Sequence, residues 1–121
     1  MTDSVKALAD YIDVLEYVWM GVPFNVPMFE VYAQIPNPVA YKTVKYQQQN
    51  LQILQLGKYD VPLFEPLGLE LEQMPAYAVV LADYQGSQFR LLARPADHIN
   101  GVNRVARELM RGKSTFNPLN S

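Results

Sequence analysis

One histidine and no cysteine in 121 residues leave few side chains for demanding chemistry. Zinc fingers, thiol nucleophiles, iron–sulfur sites and disulfide scaffolds all need residues this chain lacks. His98 is the only side chain whose ordinary titration falls near neutrality, and Asp97 stands beside it. A Ser-His-Asp relay would have to draw on Ser4, Ser87 or Ser114. None of these lies in the Gly-x-Ser-x-Gly turn that exposes a nucleophile. His98 therefore reads as a surface or capping residue, and the sequence assigns no catalytic residue, no cofactor and no metal.

Carboxylates offer the next chemistry. Asp10, Asp13 and Glu16 stand three residues apart, so on a helix they form a row that presents negative charge. Glu70 and Glu72 share one face if their segment is extended. With Asp83 they are the material for a carboxylate enzyme, but no third group accompanies the pair and the spacing is unspecific. Gly57, Gly68 and Gly86 are isolated turn glycines rather than a phosphate-binding loop.

The sharpest positive feature is basic. Arg104, Arg107 and Arg111 fall at i, i+3 and i+7, which on a helix is one face. Arg90 and Arg94 from the preceding segment extend the row. Clustered guanidinium groups bind phosphates, or carboxylates on a partner. The acidic Asp10/Asp13/Glu16 face of a second copy is one such partner. Net charge is −2, so general attraction to nucleic acid is not expected, and such binding would need a local basic patch. Eight tyrosines, Tyr32 among them, exceed what one core absorbs, and tyrosine is enriched at protein interfaces.

These groups need elements to carry them. The spacing of Val5, Leu8, Ile12, Leu15 and Trp19 predicts an amphipathic helix from about Asp3 to Met20, stopped by Gly21 and Pro23. Alternation over Phe29, Val31, Ala33 and Ile35 predicts a proline-bounded strand. Val39–Leu56 reads either as a helix opened by Asn37 and Pro38, or as two strands, Tyr41–Tyr46 and Leu51–Leu56. Its tyrosine, valine and isoleucine content favours the strands. Gly57–Pro75 reads as a proline-broken connector with room for a short strand over Leu67–Leu71. Ala76–Arg94 reads as an antiparallel hairpin turning at Gly86. A second helix is predicted over His98–Arg111, with Asp97 as its N-cap and Gly112 closing it.

Half the residues are apolar, which excludes a disordered chain, and the length suits one domain. The expected architecture is α+β: a small antiparallel sheet of three to five strands, with an N-terminal and a C-terminal helix packed on it. Residues 1–113 would form the domain and 114–121 a polar tail. That small acidic format is similar, in size and composition alone, to export chaperones and small phage structural or accessory proteins. No signal peptide or membrane-spanning run is visible, so the expected place is the cytoplasm, or a particle assembled there. The function that follows is a non-catalytic protein-interaction subunit, assembly factor or chaperone that associates with itself or another chain. Binding of nucleic acid or a nucleotide through the arginine row is the alternative, and a carboxylate enzyme the next.

Overall fold

The computed structural model describes residues 11–106, and 69% of them lie in strands. There are nine strands: β1 (Tyr11–Trp19), β2 (Val22–Pro27), β3 (Val31–Pro36), β4 (Lys42–Tyr46), β5 (Gln49–Leu56), β6 (Tyr59–Leu63), β7 (Tyr77–Gln85), β8 (Gln88–Ala96) and β9 (His98–Ala106). The only helical piece among the described residues is a single 3-10 turn, Met28–Glu30. The α+β expectation is thus overturned, and both predicted helices are strands where they are described. In β1, alternation places Tyr11, Asp13, Leu15, Tyr17 and Trp19 on one face and Ile12, Val14, Glu16 and Val18 on the other. Apolar residues on both faces satisfy the helical period as well as the strand period. β-branched and aromatic side chains decide for the strand. In β9, Gly101 has φ +118, a conformation no helix contains.

The strands form two sheets, ordered β2-β1-β9 and β3-β7-β8-β6-β5-β4. Pairing is antiparallel except where β6 meets β8, with Leu63 opposite Ala93. The expected β7–β8 hairpin is present and turns at Gly86, whose φ is +62. The two strands favoured for Val39–Leu56 are also present as the antiparallel pair β4–β5. Gln47 and Gln48 make its tight turn with φ +50 and +67, a left-handed pair more usually filled by Asn-Gly. β2 and β6 were not foreseen.

Leu15, Tyr17 and Val26 of the smaller sheet pack on Val79, Leu81, Leu92 and Ala96 of the larger one. The opposite face of the larger sheet is buried as well. Leu54, Val61, Leu63, Ala78, Val80, Leu91 and Ala93 cluster there, with Leu71 and Met74 of the β6–β7 connection laid against them. Central strands β7 and β8 therefore bury both faces, which is why their sequences run continuously apolar.

The chain passes between the sheets twice. It does so once through the 3-10 turn and once at Asp97, the single residue between β8 and β9. The Asp97 amide donates to the Val18 carbonyl at 2.7 Å, and its carboxylate accepts from the Met20 amide at 2.8 Å. Asp97 does accept a backbone N–H, as expected of it, but from the β1–β2 turn rather than from a helix.

Candidate interaction surface

The residues selected from sequence end up in separate places. Arg104 lies on β9 and pairs with Asp13 on β1 at 3.5 Å. Glu16 points to the other face of β1, where its oxygens accept from Asn100 at 3.2 Å and Asn103 at 2.9 Å. The acidic and basic sets meet, but within one chain and across neighbouring strands. Arg90 pairs with Asp83 at 3.6 Å on the β7–β8 hairpin. Asp10, Arg107 and Arg111 lie outside the described residues, and Arg104 stands on a strand rather than on the expected helix. His98 is exposed on β9, and Glu70 and Glu72 are exposed on the β6–β7 connection, away from Asp83 on β7. Among the described residues no cluster of three or more His, Asp or Glu could hold a metal ion.

Arg94 has a different fate from its neighbours. Alternation along β8 turns it inward beside Val79, and it is only 3% exposed. Burial lowers its pKa, and the nearby Tyr17 and Glu65 oppose that shift. Burial also pushes the Tyr17 hydroxyl up to about 12, against the pull of the Arg94 charge. Glu65 lies near this buried cation, and its charge favours the protonated form. One of its oxygens accepts from the Trp19 indole at 2.7 Å and from the Leu67 amide at 2.9 Å, and the other accepts from the Leu69 amide. A loop of Pro66, Leu67, Gly68 and Leu69 that would otherwise leave its N–H groups to water is fixed by one carboxylate.

That loop stands opposite the tip of β4–β5. All residues from Tyr41 to Asn50 are exposed, including every residue of β4. β4 and the start of β5 therefore form an exposed arm at the edge of the larger sheet, while Ile53 and Leu54 further along β5 are buried. Lys42, Val44 and Tyr46 share one face of β4, beside Ile53, Leu51 and Gln49 of β5. Tyr46 stacks edge-on against Phe64 at 5.7 Å, which anchors the tip. Between tip and loop runs a cleft of about 190 Å³, lined by Tyr46, Leu51, Phe64, Leu69, Glu70 and Leu71. Small-molecule sites occupy roughly 300–1,000 Å³, so this cleft is undersized for a metabolite.

Tyr32, the tyrosine selected from sequence, belongs to an aromatic group at the other end of the larger sheet. A bulge in β3 between Val31 and Ala33 brings it to Phe89 at 5.9 Å. Tyr59 and Tyr84 reach the same ring at 5.4 and 5.2 Å. Tyr32 is 51% and Tyr84 69% exposed, while Tyr59 and Phe89 pack against the core beneath them.

Glu30 sits in the 3-10 turn near Asp83. Burial and then the Asp83 charge raise its pKa above the ordinary 4.5. The folded protein thus holds this proton more tightly than the unfolded chain does, and stability falls as pH rises through the interval between the two values. Glu30→Gln is expected to raise the melting temperature at pH 7 and to leave it unchanged at pH 3. Thermal unfolding at both pH values measures this, and an equal shift at the two would refute it.

No protein-family model matches this chain, and no curated protein matches it significantly. Sequence reasoning missed the β4–β5 arm as a surface. The available signal was its charge pattern: from Val31 to Tyr59 there is no Asp or Glu, while Lys42, Lys45 and Lys58 are present. Among the described residues no helix is long and apolar enough to cross a membrane.

Proposed function

We propose that this chain is a non-catalytic protein-interaction module, a structural or accessory subunit, assembly factor or chaperone, and that the β4–β5 arm is its contact element. The observation that carries the reading is the exposure of the whole arm from Tyr41 to Asn50, with Tyr41, Val44 and Tyr46 presenting apolar surface to water. The tip of the pair extends past the β5–β6 pairing, which begins at Gln52, and a hairpin without a third strand is marginal in water. Apolar side chains on such an element are useful where another chain covers them. The carboxylate-enzyme reading gains no support from Glu70, Glu72 and Asp83, which do not converge. Of the arginines proposed for phosphate binding, Arg94 is buried and Arg90 and Arg104 each face an aspartate, so these three lend that alternative no support. A cysteine-free composition suits the cytoplasm, or a particle assembled there.

A photo-crosslinking amino acid at Val44 tests the contact in the cells that make the protein. A discrete protein adduct is expected there, and none from the same probe at Ser87 on the β7–β8 turn. An adduct of twice the chain mass marks self-association. Equal labelling at both positions, or none at Val44, would refute the reading.

A further inference from the structure

The two sheets leave four edges among the described residues: β2 and β9 on the smaller, β3 and β4 on the larger. An open edge presents unpaired N–H and C=O groups, which recruit strands from other chains unless something prevents it. Three edges are blunted in the backbone itself. β2 carries Pro23 and Pro27, which offer no N–H. β3 is bulged at Tyr32 and ends at Pro36. β9 is irregular where Glu16 and Tyr17 pair with it, and Gly101 adopts φ +118. Only β4 has no proline, no glycine and no bulge, and it holds an unbroken register with β5 from Lys42 to Tyr46. Its protection is charge alone, from Lys42 and Lys45.

Protection by charge depends on the partner. Two β4 edges laid together would set lysines of both copies on each face of the new pair, and like charges facing each other across strands are destabilising. An acidic segment turns the same lysines into an attraction. Carboxylates do stand nearby, with Asp60 beside Lys42 and Glu70 across the cleft from Tyr46, but no salt bridge engages Lys45 among the described residues. Lys42 already faces Asp60 at 3.2 Å, so Lys45 is the principal selector. Val44 and Tyr46, on the opposite face of the strand from Lys45, add an apolar stripe.

We infer that the open edge of β4 accepts an extended, acidic segment of another protein as an added strand, with acidic side chains beside Lys45 and apolar ones over Val44 and Tyr46. This rests on the arm being the contact element, and it names the partner's chemistry. Backbone hydrogen bonds supply attachment and alternate side chains supply selection, as in other strand-addition complexes.

The test uses the full chain and three probes: a capped hexapeptide alternating glutamate and valine, the same peptide with lysine for glutamate, and an oligothymidylate. Amide spectra and hydrogen exchange report on residues 42–46. The acidic peptide is expected to slow exchange at β4 amides and to bind at least about tenfold tighter than the lysine peptide. Lys45→Glu, at an exposed position that leaves the fold intact, is expected to reverse that order. Equal affinity for the two peptides, protection of β4 that grows with protein concentration alone, or a response only to the oligothymidylate would overturn the inference. A crosslinked adduct at Val44 without any peptide preference would remove strand addition and leave the interaction reading standing. Peptide selectivity without an adduct in cells would show that the edge can add a strand but that the proposed cellular contact is wrong.

Discussion

Glu65→Ala is expected to lower the free energy of unfolding by about 2 kcal/mol, the order expected when a charged acceptor serving several N–H groups is deleted. The substitution deletes an acceptor for Trp19, Leu67 and Leu69 at once, and it takes away a negative charge near the enclosed Arg94. Part of the penalty lies in what is left behind: a guanidinium 3% exposed, with one nearby negative charge fewer. Arg94→Met in the Glu65→Ala background is therefore expected to recover part of the loss, because a methionine fills similar volume without charge. Urea unfolding of the wild type, both single variants and the double variant gives the coupling energy. Strictly additive effects would show that the two residues do not act on each other.

Val80→Ala and Leu81→Ala are expected to be damaging together, by roughly 2 and 3 kcal/mol, since each removes fully enclosed methyl groups. They are adjacent on β7 and point in opposite directions. Leu81 faces the smaller sheet, and Val80 faces the side that Leu71 and Met74 help to cover. A sheet with one wet face would tolerate one of the pair. Chemical denaturation distinguishes the cases, and a loss below about half a kcal/mol for Val80→Ala, the level of ordinary surface substitutions, would contradict a buried second face.

How much of this was legible in the sequence depended on whether a segment admitted one period or two. Tyr77–Ala96 is two strand-favouring apolar runs on either side of the turn residue Gly86, so its hairpin could be read directly. The β4–β5 pair was favoured for its tyrosine, valine and isoleucine, although Gln47-Gln48 carries none of the usual hairpin-turn residues. Tyr11–Trp19 is apolar on both faces, so helical spacing could be found in a strand. Tyr59–Leu63 is too short for alternation to emerge, and Pro62 speaks against it. Charge positions were legible and their partners were not. Asp13 and Arg104 are far apart in the chain, and only the β1–β9 pairing sets them side by side. Arg94 gave no sign of being interior, because what covers a residue is decided by distant sequence. The exposure of the arm was hidden for the same reason.

The pairing of β1 with β9 has a consequence for biosynthesis. The smaller sheet joins the first described strand to the last, so a ribosome must release nearly all of residues 11–106 before the sheet can close. Until then a β1–β2 hairpin holds Leu15, Tyr17 and Val26 without their neighbour strand. The larger sheet, whose strands all lie between β2 and β9 in sequence, can assemble earlier and give those side chains a surface to rest on. Slowing translation just ahead of Asp97 should prolong this half-closed stage and expose the nascent chain to aggregation.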